Sequence, residues 1–154
     1  MIELRREAPD GPAARALWEE YMALTRERLG DDFRPTEDIF GSDEDFDAWL
    51  VLYEDGEPVA CGGLREIAAG TAEIKRMFVT AGARGRGHGR RLLAELEALA
   101  AAGGHTRIRL LTTEVLVEAR ALYASVGYAV VSSFRIDGRT DYWLEKVIAP
   151  ASLF

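Results

Sequence analysis

The sequence predicts an α+β fold built on one mixed, mostly antiparallel sheet of six to seven strands. Three observations carry that expectation. Apolar runs at 48–53, 58–64 and 72–79 are separated by turn chemistry, Glu54-Asp55-Gly56-Glu57 and the segment around Gly70, so they pair as successive hairpins. A helical stretch then intervenes before the strand-like run 106–112, and a helix crossing between two strands makes them parallel. Finally, the runs 128–135 and 140–147 flank Asp137-Gly138, the signature of a closing hairpin.

The elements follow in chain order. Residues 2–5 form a short opening strand, and Asp10-Gly11-Pro12 sets a proline at the start of a helix. Ala14, Leu17, Trp18, Tyr21 and Leu24 recur at helical spacing, which gives an amphipathic helix ending near Gly30. Between 31 and 47 the charge is lopsided: Asp31, Asp32, Glu37, Asp38, Asp43, Glu44, Asp45 and Asp47 stand against Arg34 alone. This is either a solvated loop with a short helix or a negative rim that attracts a cationic amine. Three antiparallel strands come next and lead into a loop holding Gly82, Gly85, Gly87 and Gly89. Leu92, Leu93, Leu96 and Leu99 then mark one face of a helix that Gly103-Gly104 stop. A last helix is expected over 114–126, with Val115, Ala119, Leu122 and Val126 on one side.

Strand, glycine loop and helix form an anion-binding arrangement. Glycines let the backbone approach a ligand, and a helix's first turn offers free N–H groups at a positive dipole end. Arg84, Arg86, Arg90 and Arg91 gather there in a chain whose formal net charge is -7. Spacing separates the phosphate loops that could be meant. Gly82 and Gly87 have the gap of a Walker loop, but His88 and Gly89 follow where lysine and a hydroxyl are needed. Gly85 and Gly87 fit a dinucleotide fingerprint, but Arg90 stands where its third glycine belongs.

Arg84-Gly85-Arg86-Gly87-His88-Gly89 instead resembles the Arg/Gln-x-x-Gly-x-Gly/Ala signature of the GNAT superfamily of N-acetyltransferases. Residues 73–79 (EIKRMFV) resemble that family's fourth strand, and 119–128 (ARALYASVGY) its helix-to-strand segment, so the likeness spans roughly 48–147 in order. It implies helices on both faces of the sheet, acetyl-coenzyme A as co-substrate, and an amine as acceptor. The coenzyme would be held by Met77, Phe78, Val79, Arg84, Gly85, Arg86, Gly87, His88, Gly89 and Arg90.

The resemblance also assigns the chemistry. A thioester is already activated, so catalysis needs mainly close positioning, a base for the ammonium, a donor for the oxyanion and an acid for the leaving thiolate. Tyr123 takes the acid's place and a main-chain N–H near Met77–Val79 the donor's, where family members splay the fourth and fifth strands. Taken without the resemblance, Tyr123 reads rather as a core tyrosine with a satisfied hydroxyl. Glu73 is the first candidate base, alternating with Lys75 and Met77 on one face, or else it only pairs with Lys75; Glu114 is in reserve. His88 reads as a solvent-facing neighbour of the phosphates, and His105 as a turn residue. Leu111 stands where N-terminal acetylases of this family commonly carry a glutamate, which separates the chain from that group.

Composition bounds the rest. With 154 residues, 48% of them hydrophobic, the chain suits a single domain with a substantial core. No run of about 18 apolar residues supports a membrane span, and the opening MIELRREAPD lacks a signal peptide's apolar core, so the expected location is cytoplasmic. A pI near 4.9 argues against nucleic acid as a partner. Two histidines and the single Cys61 give no metal-ligand spacing, so no metal is expected. A homodimer is compatible with the resemblance. Two alternatives remain beside acetyl transfer: a coenzyme A-binding sensor without turnover, and an enzyme using another acyl-coenzyme A.

Overall fold

The computed structural model describes residues 1–35 and 46–149. Its strands are β1 (Ile2–Arg6), β2 (Ala48–Glu54), β3 (Glu57–Ala68), β4 (Thr71–Val79), β5 (Arg107–Thr113), β6 (Ala129–Ile136) and β7 (Arg139–Val147). The helices among the described residues are α1 (Pro12–Leu29), α2 (His88–Ala102) and α3 (Val117–Ser125), with a single 3-10 turn at Ala81–Ala83. One seven-stranded sheet runs in the order β1-β2-β3-β4-β5-β7-β6, and only the β4–β5 pair is parallel. Most of the acidic stretch that could form a negative rim (Glu37, Asp38, Asp43, Glu44 and Asp45) lies outside the described residues.

The two faces of the sheet are buried by different helices. On one, Leu92, Leu93, Leu96 and Ala100 of α2 pack with Leu50, Leu52, Leu64, Ile74, Ile108 and Leu110, and Tyr123 of α3 joins them. On the other, Ala14 and Leu17 of α1 meet Trp49, Val51, Tyr53, Cys61 and Phe78. This explains why β2 reads as a continuous apolar run: every residue from Ala48 to Tyr53 is buried, three toward each helix layer. Leu92, Leu93 and Leu96 are at most 1% exposed, and each contributes roughly 1.5–3 kcal/mol by leaving water. Helix α3 begins three residues later than predicted, because Leu116 N–H turns back to the Thr113 carbonyl before the helix starts.

Two irregularities around the middle of β4 shape the site. Register along β3–β4 jumps from Cys61↔Phe78 to Gly63↔Lys75, so Arg76 and Met77 together oppose Gly62, and Arg76 sits at φ 55°. Such a bulge reverses the alternation of side chains beyond it. Met77 therefore packs with Ile74 and Val79 on the α2 side, whereas Phe78 faces α1. The expected row of Glu73, Lys75 and Met77 on one face is thereby broken after Lys75. The second irregularity is that β4 and β5 pair only from Thr71↔Arg107 to Ile74↔Leu110, while β5 continues on β7 as far as Thr113↔Asp141. Beyond Ile74 the parallel strands part.

Candidate active site

The glycine loop ends on Gly87, the residue before α2, which adopts a left-handed backbone at φ 81° that only glycine holds without strain. The helix therefore starts abruptly at His88, and the first N–H groups of α2 have no acceptor within the helix. They open on a cavity of about 360 Å³. Met77, Phe78 and Val79 of β4 form one wall, and Leu116, Ala119, Leu122 and Tyr123 form the opposite one. Arg84, Gly85, Gly87, His88, Gly89 and Arg90 close its end. Gly89 eases this approach, since a Cβ there would lie 2.9 Å from Leu122 Cδ2 and push that side chain aside.

Nine of the ten residues expected to hold a coenzyme thus line one cavity. The exception is Arg86, whose half-exposed guanidinium turns away to the Glu54 carboxylate at 2.7 Å. Arg84 lies 3.7 Å from Glu118, and Arg90 donates to the Ser125 hydroxyl at 3.0 Å. Glu118 is held chiefly by Arg28, which bonds both carboxylate oxygens and lowers its pKa to about 2. That bridge ties the end of α1 to the start of α3.

His88 departs from its solvent-facing prediction. It is 5% exposed, with Nε2 3.2 Å from the same Glu54 oxygen that Arg86 bonds. The Arg86 guanidinium, and after it His88, hold the Glu54 carboxyl below the usual carboxylate range. Glu54 ends β2 and pins the loop at two points, so it is a positioning residue for the helix tip. Replacing it in the variant Glu54→Ala should raise the KM for a coenzyme bound at that tip roughly three- to tenfold while kcat holds within about twofold. Steady-state titration of the coenzyme checks this split.

A second cavity of about 270 Å³ lies on the α1 side of the gap. Trp18, Tyr21, Phe33 and Trp143 give it aromatic walls, and Glu73, Lys75 and Arg76 reach it from β4. The two cavities share Tyr21, Met77, Leu116, Ala119 and Tyr123. They meet where β4 has parted from its parallel neighbour, past the last β4–β5 pair, Ile74↔Leu110. Tyr123 is 5% exposed and stands at this junction, in edge-to-face contact with Tyr128 at 5.9 Å. Burial alone pushes its phenol well above the ordinary tyrosine range, so it remains a proton donor at neutral pH.

The candidate bases separate. Glu73 is 7% exposed at the second cavity, with Oε1 3.6 Å from Arg65 Nε. Glu114 lines neither cavity: its Oε1 accepts the Thr140 N–H at 3.1 Å and lies 3.9 Å from Arg135, which binds it to the start of β7. Sequence reasoning missed Arg139 and Asp141, a buried pair at 3.1 Å that lines the second cavity. They sit two apart just past the Asp137-Gly138 turn, and only the pairing of β7 with β5 carries them inward.

A sequence profile of the Acetyltransferase (GNAT) family matches residues 13–128. A curated relative, an IAA acetyltransferase from Azospirillum brasilense, is 39% identical over 82 residues, or 53% of this chain and 54% of that protein. The match spans about half the length of that relative. Among solved structures, a Klebsiella pneumoniae protein described as an acyl-CoA N-acyltransferase has a TM-score of 0.76 and 27% identity, covering 96% of this chain and 98% of that one. A GNAT family acetyltransferase from Elizabethkingia anophelis, solved with acetyl-CoA bound, is similar in fold, with a TM-score of 0.69 at 15% identity over 96% of this chain and 98% of its own.

Proposed function

Because the chain belongs to the acetyltransferase (GNAT) family, we propose that it moves an acetyl group from acetyl-CoA directly to the primary amine of a small molecule. One observation carries the reading: the phosphate-loop cavity and the aromatic cavity join at Tyr123, in the gap between β4 and β5. The cradle fits a diphosphate, since Gly87 frees the tip of a 15-residue helix and Arg84 and Arg90 line the same space. Acetyl-CoA supplies an activated acyl group, so the protein's work is to orient, to move protons and to exclude water.

Each residue then has one task. A backbone N–H of β4 near Met77, past the last β4–β5 pair, donates to the acyl oxygen as negative charge develops on it. The Tyr123 hydroxyl gives its proton to the sulfur as the carbon–sulfur bond breaks, and the second proton that the nitrogen sheds on becoming an amide restores the phenol, directly or through water. Glu73 takes a proton from the incoming ammonium, directly or through water, which frees the nitrogen lone pair. Calorimetry with acetyl-CoA, followed by free-thiol release with a panel of amines, tests the reading. Tight binding without thiol release from any amine would favour a sensor.

The base has its own test. In Glu73→Gln the acceptor must lose its proton to bulk water, so activity at neutral pH should drop on the order of 10²-fold and then recover as pH rises toward the amine's own pKa. A pH–rate profile that matches the parent protein's would transfer the role to solvent.

A further inference from the structure

The aromatic cavity says what kind of amine should enter it, an inference that rests on the acetyltransferase reading. Its volume, about 270 Å³, is at the small end for ligand sites. Its rings are already engaged by arginine. Arg76 lies over Trp18 at 4.5 Å, Arg139 over Phe33 at 4.7 Å, and Arg109 over Trp143 at 4.2 Å, while Trp18 and Tyr21 stack at 5.1 Å. Arg76 and Arg139 themselves line the cavity, and the Arg139 side chain is 3% exposed.

These pairings decide between acceptor classes. A polyamine or an aminoglycoside would seek ring faces and carboxylates for its several cationic groups, but the arginines hold those faces, and the two carboxylates in the lining, Glu73 and Asp141, already lie 3.6 Å from Arg65 and 3.1 Å from Arg139. A flat arene meets no such conflict. It stacks on the outer plane of a guanidinium, and edge-to-face contacts with Trp18, Phe33 and Trp143 suit its quadrupole. We propose that the acceptor is a small primary amine borne on an aromatic ring, with the ring among Trp18, Phe33 and Trp143 and the amine directed toward Tyr123.

The test compares 2-phenylethylamine with 2-cyclohexylethylamine and with spermidine, both as acceptors in thiol release and as ligands of the coenzyme A-loaded protein by calorimetry. The expected result is that the phenyl amine exceeds the cyclohexyl amine at least tenfold and spermidine at least a hundredfold, in kcat/KM and in affinity. Equal values for phenyl and cyclohexyl, a preference for spermidine, or no binding by the phenyl amine would overturn the assignment. Failure of acetyl-CoA itself to bind, or absence of thiol release despite tight phenyl-amine binding, would instead count against the transferase reading. Binding alone therefore judges the acceptor class.

Discussion

Gly89→Asp abolishes acetyl-CoA binding in the expected calorimetric result, a loss of about 10³-fold or more. Two effects add. The new Cβ would stand 2.9 Å from Leu122 Cδ2, so the end of that side chain must give way. The carboxylate would then face the coenzyme's diphosphate at the helix tip, and like charges about 4 Å apart cost about 4 kcal/mol at an effective dielectric of 20. The fold should survive, because residue 89 is the second of α2 and an acidic side chain in a helix's first turn is favourable to the dipole. Gly89→Ala separates the contributions: it keeps the steric contact without the charge, and should lose far less affinity. Unchanged binding in the Asp variant would remove the diphosphate from this loop.

Tyr123→Phe should reduce kcat on the order of 10²-fold while acetyl-CoA affinity stays within about twofold. The ring keeps its contact with Tyr128 and its place in the core, so only the proton donor goes. Pre-steady-state thiol release checks the effect on the chemical step, and full activity would exclude the tyrosine as acid. The pH dependence has a definite sign. Burial raises the phenol's pKa in the folded protein, so the acid stays protonated past the ordinary tyrosine value of about 10 and adds no loss of activity below it. Stability behaves in the same sense: with the folded pKa raised, the contribution is fully present below about pH 10 and is lost as pH climbs from there through the folded value.

What could be read in the sequence was whatever local chemistry encodes. Asp55-Gly56 and Asp137-Gly138 sit at the predicted hairpins, with Asp55 and Asp137 at positive φ and both glycines likewise, because turn geometry depends on a few adjacent residues. The leucines of α2 and the glycines of the phosphate loop were visible for the same reason. The bulge at Arg76 was not, since no glycine or proline within β4 marks it and the opposing Gly62 belongs to β3, so it exists only once the two strands are in register. The parting of β4 from β5 is likewise a property of two strands more than thirty residues apart. His88 looked like a surface residue because its partner, Glu54, is 34 positions away. Arg139 and Asp141 carry no local motif, and only the order β5-β7-β6 brings them to the cavity.

The seam of five residues shared by the two cavities has a consequence for how such a protein can diversify. None of Arg84, Gly85, Gly87, His88, Gly89 and Arg90, the loop residues proposed to hold the nucleotide end, lines the aromatic cavity, and none of Trp18, Phe33 and Trp143 lines the loop cavity. Changes at Trp18, Phe33 or Trp143 can therefore retune which amine is welcomed without disturbing donor recognition, so selection can explore new acceptors from a chassis that stays loaded.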